Sequence, residues 1–298
     1  MYHEPVLLKE SIEGLNINSN GVYVDATFGG GGHSAEILSK LSEKGQLIAF
    51  DQDKDAHKNK IKDNRLTLIY GNFRYIQNYL EYLGYETVDG VLADLGISSY
   101  QIDEYSRGFS YRLGGKLDMR MNDKQETKAS DVLNNYDEAK LLYIFNNYCD
   151  IPNARRLVSL ILEYRLYNKI ETIEEFIEII SPVTPKNKEY KYLSQVFQAI
   201  RISVNDEINA LDDFLSSCSK ITQPGSRLSI ISYHSLEDRL VKNLIKTGNT
   251  EGKLETDIFG QTNLNFKAIN RKIILPSDAE IEKNPRAKSA KLRIAERI

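Results

Sequence analysis

Along the first third of the chain, short apolar runs alternate with stretches whose apolar residues recur at helical spacing. Four of these runs are rich in β-branched and aromatic residues, and we expect them to form buried strands that begin at Val22, Gln46, Leu66 and Val88. Between the first two runs, Ile37, Leu38 and Leu41 lie on one face of a predicted helix. Because strands and helices alternate in this order, the pattern predicts an α/β fold built on a parallel sheet.

The middle of the chain follows a different pattern. From about residue 106 to residue 211 the spacing stays helical and no strand-like run interrupts it, so we predict an inserted helical domain. Within it, Val196–Leu215 is expected to be one long amphipathic helix, and Thr172 with Glu175 forms a capping-box pattern. A polar, lysine-rich helix is also expected earlier in the chain, directly after Asp51.

The strand pattern returns in the last quarter of the chain. A fifth strand is expected over Leu228–Tyr233, followed by a helix whose start is capped by Ser235 with Asp238. Lys272–Leu275 and Ala290–Ala295 alternate apolar and polar residues. This alternation predicts that the two segments close the sheet as an antiparallel hairpin.

The glycine run Gly29–Gly32 connects the first predicted strand to the first predicted helix. Glycines let the backbone turn tightly and let a ligand approach it closely. The next strand ends in Asp51, about 20 residues farther on, where nucleotide-binding folds place an acid against ribose hydroxyls. Asp25, Phe73 and Asp94 fall at the ends of the other strands, where open α/β sheets bind ligands. The pattern predicts an adenosine-type ligand but does not separate NAD from S-adenosylmethionine.

Composition narrows the class of protein. The formal net charge is −3, and no apolar run approaches the roughly 20 residues that a membrane helix needs. The N-terminal segment lacks the features of a signal peptide, so we expect a cytoplasmic protein with no membrane partner. Cys149 and Cys218 form no CxxC pair, and we expect reduced, buried thiols and no structural metal. Between Lys283 and Ile298 six basic residues accompany one acid, which indicates either a phosphate-binding surface or a solvated charged face.

Several longer stretches resemble one family of proteins. They include HEPVLLKES from His3, DATFGGGGHS from Asp25, DGVLADLGISSYQ from Asp89, RLSIISYHSLEDRLVK from Arg227 and NPRAKSAKLRIAER from Asn284. The shorter segments AFDQD, RGFS, LDMRM and FQAIRISVNDE match as well. Together these matches cover nearly the whole chain. The chain resembles the bacterial 16S (small-subunit) ribosomal RNA cytosine-N4 methyltransferase family.

The resemblance implies a fold, a reaction and partners. The implied fold is a class I S-adenosylmethionine-dependent methyltransferase, Rossmann-like, with a parallel sheet, a terminal antiparallel hairpin and an inserted all-helical domain. Residues 1–105 and 212–298 would form the methyltransferase domain, and residues 106–211 the inserted substrate-recognition domain. The implied enzyme transfers a methyl group from S-adenosylmethionine to the exocyclic N4 amine of a cytosine in the decoding (P-site) region of 16S rRNA, within the small ribosomal subunit. A homodimer is left open.

The resemblance also implies the residues that contact the cofactor. These are Gly31, Gly32, His33, Asp51, Phe73, Asp94 and Gln101. Amides of the glycine turn, at the start of a helix, suit the carboxylate of the methionine part. Asp51 offers two acceptors to a ribose diol. Phe73 either packs against the purine or is an ordinary core aromatic.

Asp94 and His234 are the candidates for catalysis. Asp94 begins the segment DLGISS, where amino-directed methyltransferases carry a short acidic or serine–proline motif, although those prolines are missing here. An acceptor near the N4 hydrogens would help the nitrogen to localise its lone pair. His234 either contacts the substrate or accepts a proton, or it is a structural histidine. The candidate RNA contacts are Ser98, Ser99, Arg107, Arg112, Arg120, Arg286 and Lys288.

Three other classes of protein compete with this interpretation. An NAD-dependent oxidoreductase would use the same glycine turn but would more often continue a parallel sheet. A DNA amino-methyltransferase would be expected to show a Pro-Pro motif after Asp94, and a non-catalytic RNA-binding or assembly protein would not need the strand-end acids. The chain departs from the usual family pattern at Leu113–Lys116, Asn147–Asn153 and Lys191–Val196, which concerns RNA contacts and not the reaction class.

Overall fold

The computed structural model describes residues 5–256, 262 and 264–298. His3 and Glu4, which begin the first family-like stretch, lie outside the described residues. The chain forms two compact units, one from Met1–Gly96 with Ile208–Ile298 and the other from Ile97–Glu207. Among the described residues, no helix combines the length and the apolar character needed to cross a membrane.

Within the described residues, the first unit contains a seven-stranded sheet. Its strands are β1 Val22–Asp25, β2 Gln46–Asp51, β3 Leu66–Tyr70, β4 Val88–Asp94, β5 Thr222–Ser232, β6 Phe266–Ala268 and β7 Lys291–Arg297. They lie in the order β3-β2-β1-β4-β5-β7-β6; β1 to β5 are parallel, and β7 is antiparallel to both of its neighbours. The five predicted strands are confirmed. The strand order reverses between β1 and β4, and open α/β sheets bind ligands at such a switch point.

Twelve α-helices are present in the part of the chain that the structure describes. The first unit contains α1 Leu8–Leu15, α2 Gly32–Lys40 and α3 Ile76–Tyr82, and, later in the chain, α10 Glu207–Ile221, α11 Ser235–Thr247 and α12 Asp278–Lys283. The second unit contains α4 Ser99–Asp103, α5 Ala129–Asn135, α6 Glu138–Asn147, α7 Ala154–Arg165, α8 Ile173–Ile180 and α9 Glu189–Asn205. Cys149 and Cys218 are free cysteines; Cys218 is buried as predicted, whereas Cys149 is only half-buried.

Helices cover both faces of the sheet because its strands are apolar on both sides. Side chains alternate along β1, so that Tyr23 joins a cluster with Ile12 of α1 and Ile37 of α2. Its neighbour Val24 faces the opposite cluster, which includes Phe214 of α10. Such burial on both faces is typical of parallel sheets, and it leaves the strand ends as the place for polar side chains.

The antiparallel end of the sheet differs from the predicted hairpin. β7 pairs with β6, whereas Lys272–Leu275 forms only an isolated bridge between Ile274 and Leu292. The backbone N–H and C=O groups of Leu292 and Ile294, two residues apart on β7, point to the same side of the strand. The carbonyl of Ile294 already accepts a hydrogen bond from Ile269, the residue after β6, so it is not available to extend the bridge. On the other side of the bridge, Pro276 has no amide hydrogen to extend the ladder. The predicted partner was therefore wrong.

The lysine-rich stretch after Asp51 does not form the predicted α-helix. It contains only a short 3-10 helix, Ala56–Asn59, and Ala56 is the one buried residue of positions 54–63. Carboxylates accept hydrogen bonds from amides two residues farther on, Asp51 from Asp53 at 2.8 Å and Asp53 from Asp55 at 2.9 Å. Such local bonds favour turns, and a stretch with almost nothing to bury gains little from becoming a helix.

The second unit is helical and has its own core. Apolar side chains from α5 to α9 form one buried cluster, which includes Leu133, Phe145, Ile161, Phe176 and Val196. Among the described residues of this unit, the only β pairing is the isolated bridge between Lys116 and Thr172. The capping box of Thr172 with Glu175 is confirmed. The unit begins and ends earlier in the chain than the predicted insert of residues 106–211.

The helix predicted over Val196–Leu215 is in fact two helices. α9 ends at Asn205 and α10 begins at Glu207, with Asp206 between them in the left-handed conformation at φ 52°. The buried Asn205 side chain donates to the carbonyl oxygen of Met119 at 2.8 Å. Both helices bury an apolar face, so the periodicity continues across the break and does not reveal it.

Candidate functional site

Polar side chains from four neighbouring strands meet at one edge of the sheet in the first unit. Asp25 ends β1, Asp51 ends β2, Asp94 ends β4, and Tyr233 directly follows β5. Because these strands are parallel and adjacent, their carboxyl ends surround the switch point between β1 and β4. The predicted acids Asp51 and Asp94, together with the glycine turn after β1, are therefore grouped at this edge of the sheet.

The turn from β1 to α2 is built from glycines and closes onto the sheet. The amide of Phe28 donates to the carbonyl of Phe50 at 2.8 Å, and the amide of Gly31 donates to the carbonyl of Phe28 at 2.7 Å. Gly31 has a φ of 80°, and a Cβ there would lie 2.9 Å from the Phe28 ring, whereas one on Gly32 would overlap the ring of Pro5. No described side chain caps the first amides of α2. These amides are donors for an anionic ligand group.

Asp25 is fully buried beneath the glycine turn. Its carboxylate accepts hydrogen bonds from the hydroxyl of Ser34 at 2.6 Å and from the amide of Thr27 at 3.1 Å. Burial removes water from the charge and raises the pKa of Asp25 to about 6, although both hydrogen bonds act in the opposite direction. Asp25 therefore ties the end of β1 to the first turn of α2.

Asp51 holds the glycine turn from the neighbouring strand. Its Oδ2 accepts from the amide of Gly29 at 2.8 Å, and its Oδ1 accepts from the amide of Asp53 at 2.8 Å. Burial raises the pKa of Asp51 to about 6, and the two backbone hydrogen bonds oppose this shift. Each carboxylate oxygen can accept a further hydrogen bond, which is what a pair of ribose hydroxyls requires.

The Asp94 carboxylate is held at one oxygen and open at the other. Its amide donates to Oγ1 of Thr27 at 2.7 Å, and its Oδ1 accepts from the hydroxyl of Tyr233 at 2.8 Å. Oδ2 makes no hydrogen bond with any residue that the structure describes and lies 4.0 Å from Nδ1 of His33. Burial raises the pKa of Asp94 to about 6, while the bond from Tyr233, and a positive charge on His33 whenever that ring is protonated, act in the opposite direction.

His33 is buried beside Asp94. Its Nε2 lies 3.2 Å from the carbonyl oxygen of Val6. Because that oxygen can only accept, Nε2 is assigned the proton of the neutral ring, and Nδ1 keeps a lone pair on the side of Asp94. Burial lowers the pKa of His33, which favours this neutral form. A ligand N–H group beside Nδ1 and the open oxygen of Asp94 therefore meets two acceptors.

Phe73 lies just beyond the end of β3, where it begins a short 3-10 helix. The side chain of Asn72 caps that helix by accepting from the amide of Arg74 at 3.0 Å. The half-buried Phe73 ring packs edge to face on the fully buried ring of Phe214, with centroids 5.1 Å apart. The core therefore fixes one side of Phe73, and its remaining surface is left for a ligand.

The helix after β5 is capped by His234, and not by Ser235 with Asp238 as predicted. Nδ1 of His234 accepts from the amide of Glu237 at 3.4 Å, and Glu237 Oε2 accepts from the amide of His234 at 3.2 Å. Asp238 instead forms an ion pair with Arg293 of β7 at 2.7 Å. The prediction missed the cap because imidazole is not among the usual capping groups. The Nδ1 lone pair of His234 is thus used by the fold.

Three predicted site residues lie at the start of the second unit and form a helix cap. Oγ of Ser98 accepts from the amide of Gln101 at 3.2 Å, and Oε1 of Gln101 accepts from the amide of Ser98 at 3.0 Å. Ser99 is the first residue of α4 and is half-buried, whereas Gln101 is buried. Their contacts with cofactor or RNA stay predictions, and the local structure shows Ser98 and Gln101 positioning α4.

The arginines of the loop Tyr105–Met121 stabilise the loop itself. Nη2 of Arg107 donates at 3.0 Å to the carbonyl oxygens of Arg120 and of the following residue. The Arg120 guanidinium donates to both carboxylate oxygens of Asp118 at 2.8 Å. Arg112, in contrast, is exposed. RNA contacts by Arg107 and Arg120 stay predictions, and those contacts would compete with bonds inside the loop.

The basic C-terminal segment is partly neutralised within the first unit. Arg293 and Lys291 lie 2.7 and 3.9 Å from one carboxylate of α11, and Arg297 donates to the residue before β6 at 2.9 Å. Arg286 is half-buried and Lys288 is exposed in the 3-10 helix that precedes β7. Of this basic segment, Lys288 is therefore exposed in the part before β7, whereas Arg293 and Lys291 of β7 are engaged with α11.

Two residues of the strand-end site were not among the sequence candidates. Tyr233 directly follows β5, so the rule that selected Asp51 and Asp94 would also have selected it. Thr27 accepts the Asp94 amide only because β1 and β4 are neighbours in the sheet. No local sequence pattern indicates that contact.

Comparison with known proteins assigns the chain to a family. The model of the MraW methylase family matches residues 1–298. Two proteins named ribosomal RNA small subunit methyltransferase H are each 53% identical to this chain. The alignment with the protein from Bacteroides thetaiotaomicron covers 99% of this chain and 97% of the relative. The alignment with the protein from Cytophaga hutchinsonii covers 100% of both. The solved structure of an rRNA methylase from Streptococcus thermophilus covers 98% of this chain and 93% of its own, at 12% identity and a TM-score of 0.42.

The predicted class I methyltransferase fold is confirmed by this family match together with the parallel sheet and its antiparallel end. The match extends over the full chain, and the identities are far above what a shared fold alone would require. This chain therefore belongs to the MraW methylase family, whose cofactor is S-adenosylmethionine.

Proposed function

We propose that this chain transfers a methyl group from S-adenosylmethionine to the exocyclic N4 amine of a cytosine in the decoding (P-site) region of 16S rRNA. The names of its relatives specify RNA of the small ribosomal subunit, which supports this class of substrate. One observation carries the chemistry: Asp94 offers an open carboxylate oxygen at the switch point of the sheet. A ribosomal substrate also supports a cytoplasmic location, and a homodimer stays a prediction.

The residues of the first unit fit S-adenosylmethionine. The uncapped amides at the start of α2 suit its carboxylate. In the turn that leads to them, the Phe28 ring leaves no room for a Cβ at position 31, which is a glycine. Asp51 offers acceptors to the ribose hydroxyls, and the free surface of Phe73 offers an apolar contact to the adenine. When bound, the cofactor supplies an electrophilic methyl group. The task of the protein is to hold the cytosine amine in line with that group.

Asp94 is proposed as the acceptor for the cytosine amine. The N4 nitrogen is a poor nucleophile because its lone pair is delocalised into the ring. A hydrogen bond from N4 to Oδ2 of Asp94 localises electron density on the nitrogen. As N4 forms its new bond to the methyl carbon, whose bond to the cofactor sulfur would break, the carboxylate takes the proton that N4 loses. Tyr233 holds Oδ1 in place at 2.8 Å, and burial raises the pKa of Tyr233, so its hydroxyl remains a donor.

The geometry favours Asp94 over His234 as the proton acceptor. Nδ1 of His234 already accepts from the amide of Glu237, and Nε2 lies 3.2 Å from Oε1 of the same residue. Protonation at Nδ1 would remove the cap from α11. Asp94, with a pKa of about 6, is ionised at neutral pH and can accept a proton through an oxygen that the fold does not use.

RNA recognition is proposed for the inserted helical domain, residues 106–211, whose compact unit in the structure spans Ile97–Glu207. Its helices and loops surround a core of their own, so substitutions on its surface can change RNA recognition without altering the cofactor site. Lys288 and Arg286 are proposed to add phosphate contacts from the first unit.

The proposed reaction is tested by methyl transfer from labelled S-adenosylmethionine to small ribosomal subunits taken from cells that lack this protein. The modified base is then mapped. Label on N4 of one decoding-region cytosine supports the proposal. Label on another base or atom would show that the proposed substrate atom is wrong. Absence of label, with the cofactor bound, would favour a non-catalytic role in assembly.

The Asp94→Asn variant tests the role of the carboxylate. Turnover should fall about 100- to 10,000-fold, because proton acceptance is lost, while the dissociation constant for S-adenosylmethionine stays near that of the unmodified chain. An equal loss of cofactor affinity would assign Asp94 to the cofactor instead. The matched control is Asp89→Asn, because Asp89 lies on the same strand and binds the amide of Val22 at 2.7 Å, outside the site.

A further inference from the structure

The second unit carries a surface of basic and aromatic side chains that the strand-end site does not explain. We call it the basic–aromatic surface; it consists of Arg112, Lys186, Lys188, Tyr190 and Lys191. All five residues are exposed, Tyr190 to 68%. Within the part of the chain that the structure describes, none of its four cations forms an ion pair. These charges are therefore available to a partner.

Arg112 is held against two tyrosine rings. Its guanidinium carbon lies 5.7 Å from the centroid of Tyr111 and 5.5 Å from that of Tyr190. Oγ of Ser194 lies 2.7 Å from the Tyr190 carbonyl and 3.3 Å from the Tyr111 hydroxyl, and the Tyr111 ring packs edge to face on Phe197. The planar cation and the exposed ring are thus positioned before any partner binds, which lowers the entropic cost of stacking on them.

The three lysines line a cleft next to this stack. The cleft has a volume of about 470 Å³, and Pro152, Pro185 and Tyr192 add apolar surface to its lining. Clefts of about 300–1,000 Å³ accommodate groups the size of a nucleotide. Asp150 also lines the cleft, and Glu189 is exposed at the start of α9, so four cations accompany two acids. The local charge is positive on a chain whose formal net charge is −3.

Single-stranded nucleic acid is the partner that uses all of these features. Its bases stack on exposed aromatic rings and on guanidinium planes, and its phosphates pair with lysines that have no other partner. A protein interface of this size would be expected to centre on a larger apolar patch. In the chain segments that carry this surface, residues 110–114 and 185–192, the exposed large apolar side chains are Leu113 and Tyr190.

We propose that the basic–aromatic surface binds a single-stranded segment of RNA, with phosphates on its three lysines and a base stacked on Tyr190. This inference rests on the proposed rRNA substrate and deepens it. It moves the RNA contacts of the second unit away from Arg107 and Arg120, whose guanidinium groups bond inside their loop. The contacts lie instead on side chains that face solvent.

The test measures binding of the full chain to protein-free 16S rRNA by filter retention, from about 50 to about 200 mM salt. A variant with Lys186→Ser, Lys188→Ser and Lys191→Ser should reduce the slope of log affinity against log salt by about 2, because each single-strand phosphate contact contributes about 0.7. The same relation predicts a loss of affinity of roughly 100-fold near 0.1 M salt. Tyr190→Ala should weaken binding about 5- to 100-fold at every salt concentration and leave the slope unchanged.

Matched controls separate the surface from general charge and aromatic effects. Replacing Lys44, Lys220 and Lys246, which are exposed on the first unit, with serine changes the net charge equally and should leave the slope unchanged. Tyr167→Ala removes a ring that is 86% exposed on the second unit and should leave the affinity unchanged. The dissociation constant for S-adenosylmethionine should be the same in every variant, which shows that the cofactor site is intact.

Each outcome decides the proposal. An unchanged slope in the triple-lysine variant, or unchanged affinity in Tyr190→Ala, overturns it. It is also wrong if the unmodified chain does not bind protein-free RNA, or if the variants lose affinity only for assembled subunits, since the surface would then contact a ribosomal protein. Failure of the proposed reaction would look different: the chain would bind RNA with the expected slope and transfer no methyl group to cytosine N4.

Discussion

The hydrogen bond from Tyr233 to Asp94 offers a direct test of the site. Tyr233→Phe removes only the hydroxyl that donates to Oδ1 of Asp94 at 2.8 Å. A hydrogen bond to a charged group contributes about 1.5–3 kcal/mol, and one pKa unit corresponds to about 1.36 kcal/mol. The bond favours the ionised form of Asp94, so its loss should raise the pKa of that carboxyl from about 6 by roughly 1–2 units.

The shift appears in the pH dependence of turnover. Because the ionised carboxylate accepts the proton, kcat/KM should fall as the pH drops through the pKa of Asp94. The acid limb is expected near pH 6 in the unmodified chain and near pH 7–8 in Tyr233→Phe. At higher pH the two rates should converge, since Asp94 is then ionised in both. Methyl transfer to small subunits, measured from about pH 5 to about pH 9, gives the profile.

Tyr23→Phe is the matched control for this prediction. Tyr23 is also buried in the first unit, but its hydroxyl accepts from the amide of Asn18 at 2.7 Å and does not contact Asp94. Its acid limb should stay near pH 6. An unmoved acid limb in Tyr233→Phe, with normal cofactor affinity and Tm, would refute the reasoning. A rate that falls equally at every pH would refute it as well.

Three further predictions concern the cofactor site. The folded-state pKa of Asp25 is raised to about 6, so protonated Asp25 stabilises the fold at low pH. This stabilisation is lost as the pH rises from about 4 through 6, and the free energy of unfolding then falls by up to about 3 kcal/mol. Asp25→Asn should remove that part of the pH dependence in urea unfolding, and an unchanged dependence would contradict the assignment. Phe73→Leu should weaken S-adenosylmethionine binding about 2- to 10-fold in calorimetry, and more than Phe214→Leu, which lies behind it; equal losses would indicate loosened packing only. Gly31→Ala places a Cβ 2.9 Å from the Phe28 ring at a φ of 80°, so Tm and cofactor affinity should both fall, and normal values would show that the turn adapts.

Much of the first unit could be predicted because its signals are local. A buried strand needs a short run of apolar, β-branched residues, and the runs at Val22 and Val88 carry that signal themselves. The glycine turn and the acid at Asp51 are separated by a spacing that belongs to the fold as a whole. Where local chemistry competes with periodicity, the prediction failed, as in the lysine-rich stretch after Asp51.

The polar contacts of the site depend on residues that are far apart in the chain. Tyr233 and Asp94 are 139 positions apart and meet only because β4 and β5 pair in register. The break at Asp206 and the pairing of β7 with β6 likewise have no periodic signature. At the break the buried side chain of Asn205 is bonded to Met119, and the pairing depends on which backbone groups of β7 are already bonded.

The amino-acid sequence by itself determined where the five parallel strands lie, where the glycine turn lies and which acids end those strands, because each is encoded within a few neighbouring positions. Only the tertiary structure decided which oxygen of Asp94 stays open, which arginines are used inside their own loop and which cations face solvent. Hydrogen-bond partners and pKa values follow from burial and from long-range pairing. Those quantities exist only after the chain has folded.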